Sequence, residues 1–129
     1  MQDTIEASVR AFHQKFGHPC PRRHTPLSQA TKEFRKRLIR EEAEELCEAI
    51  DSGDAVKLLQ EAADLVYVAV GAAIAAGLPF NEAFGCVHKA NMEKTPTGSG
   101  NKPGKPEGWQ PPTAAIAWYV ALANGVMES

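Results

Sequence analysis

Five glutamates crowd the stretch EEAEELCEAI at positions 41–50, and EAADLV follows at 61–66. On a helix advancing about 100° per residue, Glu41 and Glu45 stack one turn apart. Glu42 falls beside an apolar arc of Ile39, Ala43, Leu46, Cys47 and Ile50, while Glu44 and Glu48 turn towards water. In the second stretch Glu61 and Asp64 share a face with Leu58, Leu65, Val68 and Ala72. Like charges at i, i+4 repel, and an unpaired carboxylate is costly to bury. Relief must come from outside the stretch: between Glu41 and Asp64 stand nine of the sixteen acids, opposed only by Lys57. A run of glutamates on one helix is ordinarily a solvated face. A second acidic pair on the apolar face of the next helix argues against that reading here. Two antiparallel helices joined by a short turn bring the pairs together. An all-oxygen donor set without histidine or cysteine favours a hard divalent cation, Mg²⁺ with Mn²⁺ able to substitute. A carboxylate di-iron bundle would want Glu-x-x-His pairs, and the acidic helices contain no histidine.

The elements that must position these groups are helices. Ile5, Val9, Phe12 and Phe16 form one apolar face over Asp3 to Phe16, ended by Gly17 and Pro19. GHPCPRRHTP at 17–26 enforces a loop. Ser28 or Thr31 can cap a second helix that runs to about Ile50 and stops at DSGD, with Gly53 as the break and Asp54 as the next cap. A third helix, roughly Ala55 to Ala76, is nearly all apolar after Asp64 and is expected to be the buried centre of a bundle or a subunit interface. Pro79 or Asn81 opens a fourth, through about Met92. TPTGSGNKPGKPEGWQPP at 95–112 cannot form a regular element, and Thr113 to Val126 reads as a closing helix. No β alternation is present. The class is therefore all-α, a four- to five-helix bundle with a Gly/Pro/Lys-rich C-terminal loop, and the alanine-rich third helix predicts a homodimer or homotetramer.

The whole chain is consistent with this. Its 129 residues suit one domain, 1–129, and 43% hydrophobic with 23% charged residues is globular rather than disordered. With no apolar run of 18 residues and no basic start followed by an apolar stretch, neither a membrane span nor a signal peptide is expected. The expected location is cytoplasmic, and three cysteines without paired spacing suit reduced thiols. Seven basic residues against Glu33 from Arg22 to Arg40, beside the acidic stretch, suit a site holding both a cation and a phosphate, and a nucleic acid could also use such a segment. Charge alone leaves both open; a nucleotide substrate, and neither a nucleic acid polymer nor a membrane, is what the family resemblance below implies.

EEAEEL with Glu41, Glu42 and Glu45, followed by EAADLVY with Glu61 and Asp64, resembles the EExxE…ExxD signature of the all-α nucleoside triphosphate pyrophosphohydrolases, the MazG-like and phosphoribosyl-ATP pyrophosphohydrolase-like superfamily. FHQKFGHP at 12–19, NMEK at 91–94 and GKPEGWQPP at 104–112 extend the likeness over most of the chain. The resemblance implies Mg²⁺-dependent cleavage between the α and β phosphates of a nucleotide, releasing a monophosphate and pyrophosphate. It makes Glu42, Glu45, Glu61 and Asp64 metal ligands, and Glu41 a further ligand or the group that orients the attacking water. The main expectation is a nucleoside triphosphate pyrophosphohydrolase serving house-cleaning or control of the nucleotide pool. The alternatives are hydrolysis of phosphoribosyl-ATP in histidine biosynthesis and a non-catalytic helical interaction protein.

Around that centre, Lys94, Lys102 and Lys105 are candidates to bind the outer phosphates, and Asn91 lies one turn before Lys94. Lysines near helix ends and in loops are as often plain dipole partners or solvated. His13 and Phe16 can stack on or bond a base, with Phe16 the better core residue. Trp109 can cover a base or simply anchor the tail. Arg22 and Arg23 can meet phosphates. His13, His18, Cys20 and His24 match no zinc spacing, and Cys47 and Cys86 read as small core residues.

Overall fold

In the computed structural model, residues 4–96 and 102–125 are described and form five helices: α1 (Ile5–Phe16), α2 (Gln29–Ser52), α3 (Ala55–Ala75), α4 (Phe80–Met92) and α5 (Thr113–Ala123). Among those residues there is no strand, only an isolated antiparallel bridge between Thr95 and Gly104. Asp3 and Val126, the expected outer limits of the first and last helices, lie outside the described residues. The chain divides into two compact units, one up to Leu78 and one from Pro79.

Local chemistry fixes the helix ends. Thr4 caps α1 by accepting from the Ala7 N–H at 3.1 Å, and Gly17 closes it in the left-handed region at φ 70°. Ser28, not Thr31, caps α2, its hydroxyl accepting from the Thr31 N–H at 3.1 Å. Gly53 ends α2 at φ 73°, and the Asp54 carboxylate accepts from the N–H groups of Val56 (3.0 Å) and Lys57 (3.2 Å) to begin α3. Two residues thus separate helices of 24 and 21 residues, so α2 and α3 pack as an antiparallel hairpin, with α1 lying against α3.

A buried polar knot ties these three helices together. His13 on α1 and Arg35 on α2 are 2% and 6% exposed. The Pro19 carbonyl accepts from His13 Nδ1–H at 2.9 Å, which leaves Nε2 to accept from Arg35 Nη2 at 3.3 Å. Arg35 lies against α3 where Gly71 has no side chain: a Cβ there would stand 2.6 Å from Arg35 Nη1 and 3.1 Å from His13 Nε2. Burial, helped by the charges of Arg35, His18 and Arg10, lowers the His13 pKa below its usual value and keeps the ring neutral. Burial also lowers the Arg35 pKa.

The interior around the knot is small. In the first unit Val9, Ala49, Val70, Ile74, Ala75 and Ala76 are the buried hydrophobics. α3 is buried only from Val70 onward, whereas Val56 and Leu59 near its start are 77% and 73% exposed. The expectation of a buried central helix thus holds for its C-terminal third, because α1 and α2 cover only two sides of it. By length and composition alone α3 could cross a membrane, a property the sequence reading did not anticipate. Its Glu61 and Asp64 nevertheless interact with carboxylates of α2, as in a hairpin core helix. Three smaller expectations fail: Phe16 is exposed, Cys47 is exposed and Cys86 is half-buried. A short helix leaves its outer face uncovered unless another element packs there.

In the second unit α4 and α5 pack on each other. The stretch between them is held by the Thr95–Gly104 backbone pair (2.9 and 2.7 Å) and by Trp109, whose Nε1–H donates to the Ala90 carbonyl at 2.8 Å.

The loop from Gly17 to Leu27 docks on the C-terminal end of α3 through the Thr25 N–H, which donates to the Ala76 carbonyl at 2.9 Å. Gly77, at φ 70°, follows, and a Cβ on it would run into the Arg23 carbonyl. The Gly77→Ala substitution meets both a disfavoured backbone region and a rigid obstacle. Its expected cost is about 2–3 kcal/mol, read as a lower urea midpoint with an unchanged slope; a midpoint equal to wild type would show that the loop does not dock there.

Candidate metal centre

The hairpin register sets the centre. Glu42 and Glu45 on α2 face Glu61 on α3, and one carboxylate oxygen from each lies within 4.8 Å of the others. Glu42 and Glu61 are half-buried, and Glu45 is exposed. Glu42 Oε2 and Glu61 Oε2 are both buried without a hydrogen-bond partner. Buried carboxylate oxygens are normally satisfied, and two orphans in one cluster call for a donor or a cation.

The electrostatics agree with the geometry. Burial raises the Glu42 carboxyl above its ordinary range, and the charges of Glu45, Asp64 and Glu61 raise it further. Burial likewise raises Glu61, followed by its hydrogen bond to Glu45 and the charges of Glu45 and Asp64, while Lys57 pulls in the opposite direction. In the metal-free cluster Glu42 and Glu61 therefore hold their protons to higher pH than separated carboxyl groups would. The all-oxygen donor set and the two orphan oxygens fit a hard divalent cation.

Of the other expected ligands, Asp64 is half-buried and is not among the three converged groups, although its charge reaches both Glu42 and Glu61. Glu41 is exposed beside the cluster on α2, and Glu44 and Glu48 face water as expected.

The expected substrate groups divide differently. His13 is not available to a nucleotide: it is enclosed, and both ring nitrogens are engaged by Pro19 and Arg35. Asn91, Lys94, Lys102, Lys105 and Trp109 belong to the second unit. There Trp109 is half-buried and anchored to Ala90, with Lys94 Nζ and Lys105 Nζ at 5.3 and 5.2 Å from its ring centre. Asn91, Lys102 and Lys105 are exposed and Lys94 is half-buried.

Two features were not read from the sequence. One is the buried Arg35. The other is a ladder of rings in the first unit, in which His18 stacks between Phe12 (5.9 Å, 13°) and Phe34 (6.0 Å, 8°). Phe12 also meets Phe16 at 4.7 Å and the edge of Tyr67 at 5.5 Å. The signal for the ladder was present: Phe34, Leu38, Glu41 and Glu45 fall at i, i+4, i+7 and i+11, one stripe of α2.

A protein-family model described as phosphoribosyl-ATP pyrophosphohydrolase matches residues 9–91, well over half of the chain and the whole of the α2–α3 hairpin. The chain belongs to this family. It is thus a pyrophosphohydrolase domain, a hydrolase acting on acid anhydrides, within the all-α nucleoside triphosphate pyrophosphohydrolase superfamily. The family name speaks for phosphoribosyl-ATP, the alternative in the sequence reading, more directly than for nucleoside triphosphates in general. The expectation of a non-catalytic module is set aside. A comparison with curated proteins finds no match.

Because Glu42 and Glu61 have raised pKa values, the folded metal-free protein binds more protons than the unfolded chain between the ordinary carboxylate range and those raised values. Its stability therefore falls as pH rises through that window. A cation that takes the deprotonated cluster reverses the effect. Mg²⁺ at about 100 times its dissociation constant adds about 2.7 kcal/mol of stability. The rise in melting temperature over an EDTA control is expected to be larger at about pH 8 than at about pH 5.5, and to shrink in Glu42→Gln; an equal rise at both pH values would count against a carboxylate site.

Proposed function

We propose that this domain hydrolyses the α–β phosphoanhydride of an ATP-type nucleotide with Mg²⁺, releasing pyrophosphate. The observation that carries this is the convergence of Glu42, Glu45 and Glu61 across the α2–α3 hairpin with two orphan buried oxygens. The matched family supports the same reaction. Phosphoribosyl-ATP is the first substrate to test, on the family name. A second reading, nucleoside triphosphates with a house-cleaning or pool-control role, draws on residues beyond the matched span: Lys94 and Lys105 gather two cations around Trp109, a charge pair suited to a polyphosphate.

In this proposal Glu42, Glu45, Glu61 and Asp64 hold the metal. When bound, a divalent ion supplies charge neutralisation for the phosphates and Lewis acidity towards the attacking water. Glu41, exposed at the edge of the cluster, would serve as a further ligand or orient that water by accepting a hydrogen bond from it. Lys94, Lys102 and Lys105 supply positive charge, and Asn91 a neutral amide donor, for phosphate oxygens.

The test is a Mg²⁺-dependent screen of phosphoribosyl-ATP beside canonical and modified nucleoside triphosphates, with products identified by mass. Pyrophosphate and the matching monophosphate are the expected products. Outer-shell partners of a metal already cost about 10–100-fold when removed, so Glu42→Gln and Asp64→Asn, which change ligands, should lower kcat/KM by at least about 100-fold. Activity that persists in both variants would sink the assignment.

We also infer a homodimer or homotetramer assembled through α3. Besides the exposed Val56 and Leu59, a cavity of about 390 Å³ between α1 and α3 is lined by Ile5, Val9, Leu59, Ala62 and Val66. So much uncovered aliphatic surface beside so small a buried core suits a second copy of the chain. Light scattering at micromolar concentration should give at least twice the mass of 13.9 kDa; a monomeric mass would refute the assembly.

A further inference from the structure

We propose that Arg35, seated against Gly71, is the positioning residue that fixes the register in which α2 and α3 converge the carboxylates of the metal centre. Its consequence for the reaction rests on the proposed pyrophosphohydrolase reading. In an antiparallel hairpin each step forward along one helix is matched by a step back along the other. Ten residues lead from Arg35 to Glu45 on α2, and ten lead back from Gly71 to Glu61 on α3. The pair at the knot and the pair at the cluster therefore belong to one register, about 15 Å apart along the helices. Glu42 and Asp64, whose charges interact, stand seven residues from Arg35 and from Gly71 in that same register. No proline or glycine lies between the two pairs on either helix, so a shift at the knot meets no hinge before it reaches the carboxylates.

Three observations make this seat specific. Gly71 is the one glycine of α3 and lies inside it, where alanine is the better helix former and in fact follows at 72 and 73. Arg35 keeps a charge at a buried position, with its Nε also buried and without a partner. An apolar side chain of similar size would fill that space without desolvating an ion, and such replacements are often neutral or stabilising. Stability alone therefore favours neither residue. The guanidinium, moreover, has nowhere to swing: Nη2 donates to His13 Nε2 at 3.3 Å, and that same ring nitrogen lies 3.1 Å from where a Cβ on residue 71 would stand. A methyl group there, 2.6 Å from Nη1, has to push α3 along or away from α2.

The experiment compares wild type, Gly71→Ala, Arg35→Lys and the double variant. Lysine has no Nη1, and its ammonium falls near the place of Arg35 Cζ, 3.6 Å from the added Cβ, an ordinary contact. Crystal structures read the register directly, calorimetry reads Mg²⁺ affinity, and kcat/KM reads the reaction. Gly71→Ala is expected to shift Glu61 relative to Glu45 by about 1 Å, a displacement that can lower a rate by about 100-fold. Mg²⁺ affinity and kcat/KM should fall together, and Arg35→Lys in the Gly71→Ala background should restore most of both. A contact that only stabilises the fold would lower the urea midpoint and leave folded Gly71→Ala with wild-type Mg²⁺ affinity and a superimposable hairpin; that result overturns the proposal. Should Gly71→Ala not fold, Arg35→Met gives the same comparison, because it removes the guanidinium while filling its space. An unmoved Glu45–Glu61 separation with unchanged Mg²⁺ affinity in Arg35→Met is equally fatal. If wild type neither binds Mg²⁺ nor releases pyrophosphate, the pyrophosphohydrolase reading fails, and the crystallographic register alone then decides whether Arg35 sets it.

Discussion

Crowding of carboxylates across the α2–α3 hairpin is the constraint on which the rest of the first unit depends. Glu42, Glu45 and Glu61 bring oxygens within 4.8 Å of one another, and Glu42 and Glu61 each have a buried oxygen without a partner. Repulsion at that range would splay two isolated helices, so the hairpin must be held closed elsewhere. Closure comes from two places. At one end the Gly53–Asp54 turn leaves no slack between the helices. Towards the other end, Arg35 reaches across to the bare backbone at Gly71 and gives a hydrogen bond to His13.

That polar knot explains why a small core can carry a strained cluster. A fully buried aliphatic side chain contributes about 1.5–3 kcal/mol, and the first unit has few of them. Arg35 adds specificity of register instead. Sliding α2 by one turn against α3 would take the guanidinium off Gly71 and place it against a side chain, and the same slide would separate Glu42 from Glu61. A buried cation without a carboxylate partner is costly. Its placement next to a neutral histidine lessens that cost, because Nε2 of His13 offers a lone pair where a protonated ring would offer only repulsion. Burial lowers the pKa of His13 and so keeps that lone pair available, while the hydrogen bond of its Nδ1–H to Pro19 fixes the tautomer but pulls the pKa the other way.

Much of this was legible in the residues, for identifiable reasons. Helix ends are written in local chemistry, and Ser28, Gly53 and Asp54 do what their side chains or lack of one dictate. The acidic register is periodic, so the approach of Glu42 and Glu45 to Glu61 follows from the angle per residue and the length of the turn. What stayed hidden depends on non-local packing. His13 looks like any surface histidine at i+4 from Val9 until Arg35, twenty-two residues away, arrives against it. Trp109 could have faced a base; instead its N–H is taken by Ala90, a choice made by how the Gly/Pro segment folds back on α4. Cys47 was placed in the core by the angle of α2, but the arc it belongs to extends past the edge covered by α3.

The exposed aliphatic half of α3 and its acidic half face one problem from opposite sides. Glu61 and Asp64 need to be partly withdrawn from water if their charge is to act strongly on a bound cation, since effective attraction falls as the surrounding dielectric rises. Yet α1 and α2 shield only two sides of the helix, and Leu59 and Val66, which flank the acidic pair in sequence, remain open to solvent. Any apolar surface that covers those two residues would also lower the dielectric beside Glu61. Covering of that face and electrostatics at the cluster would therefore be coupled through α3: the helix with the most uncovered apolar surface is the one whose carboxylates would gain most from being covered.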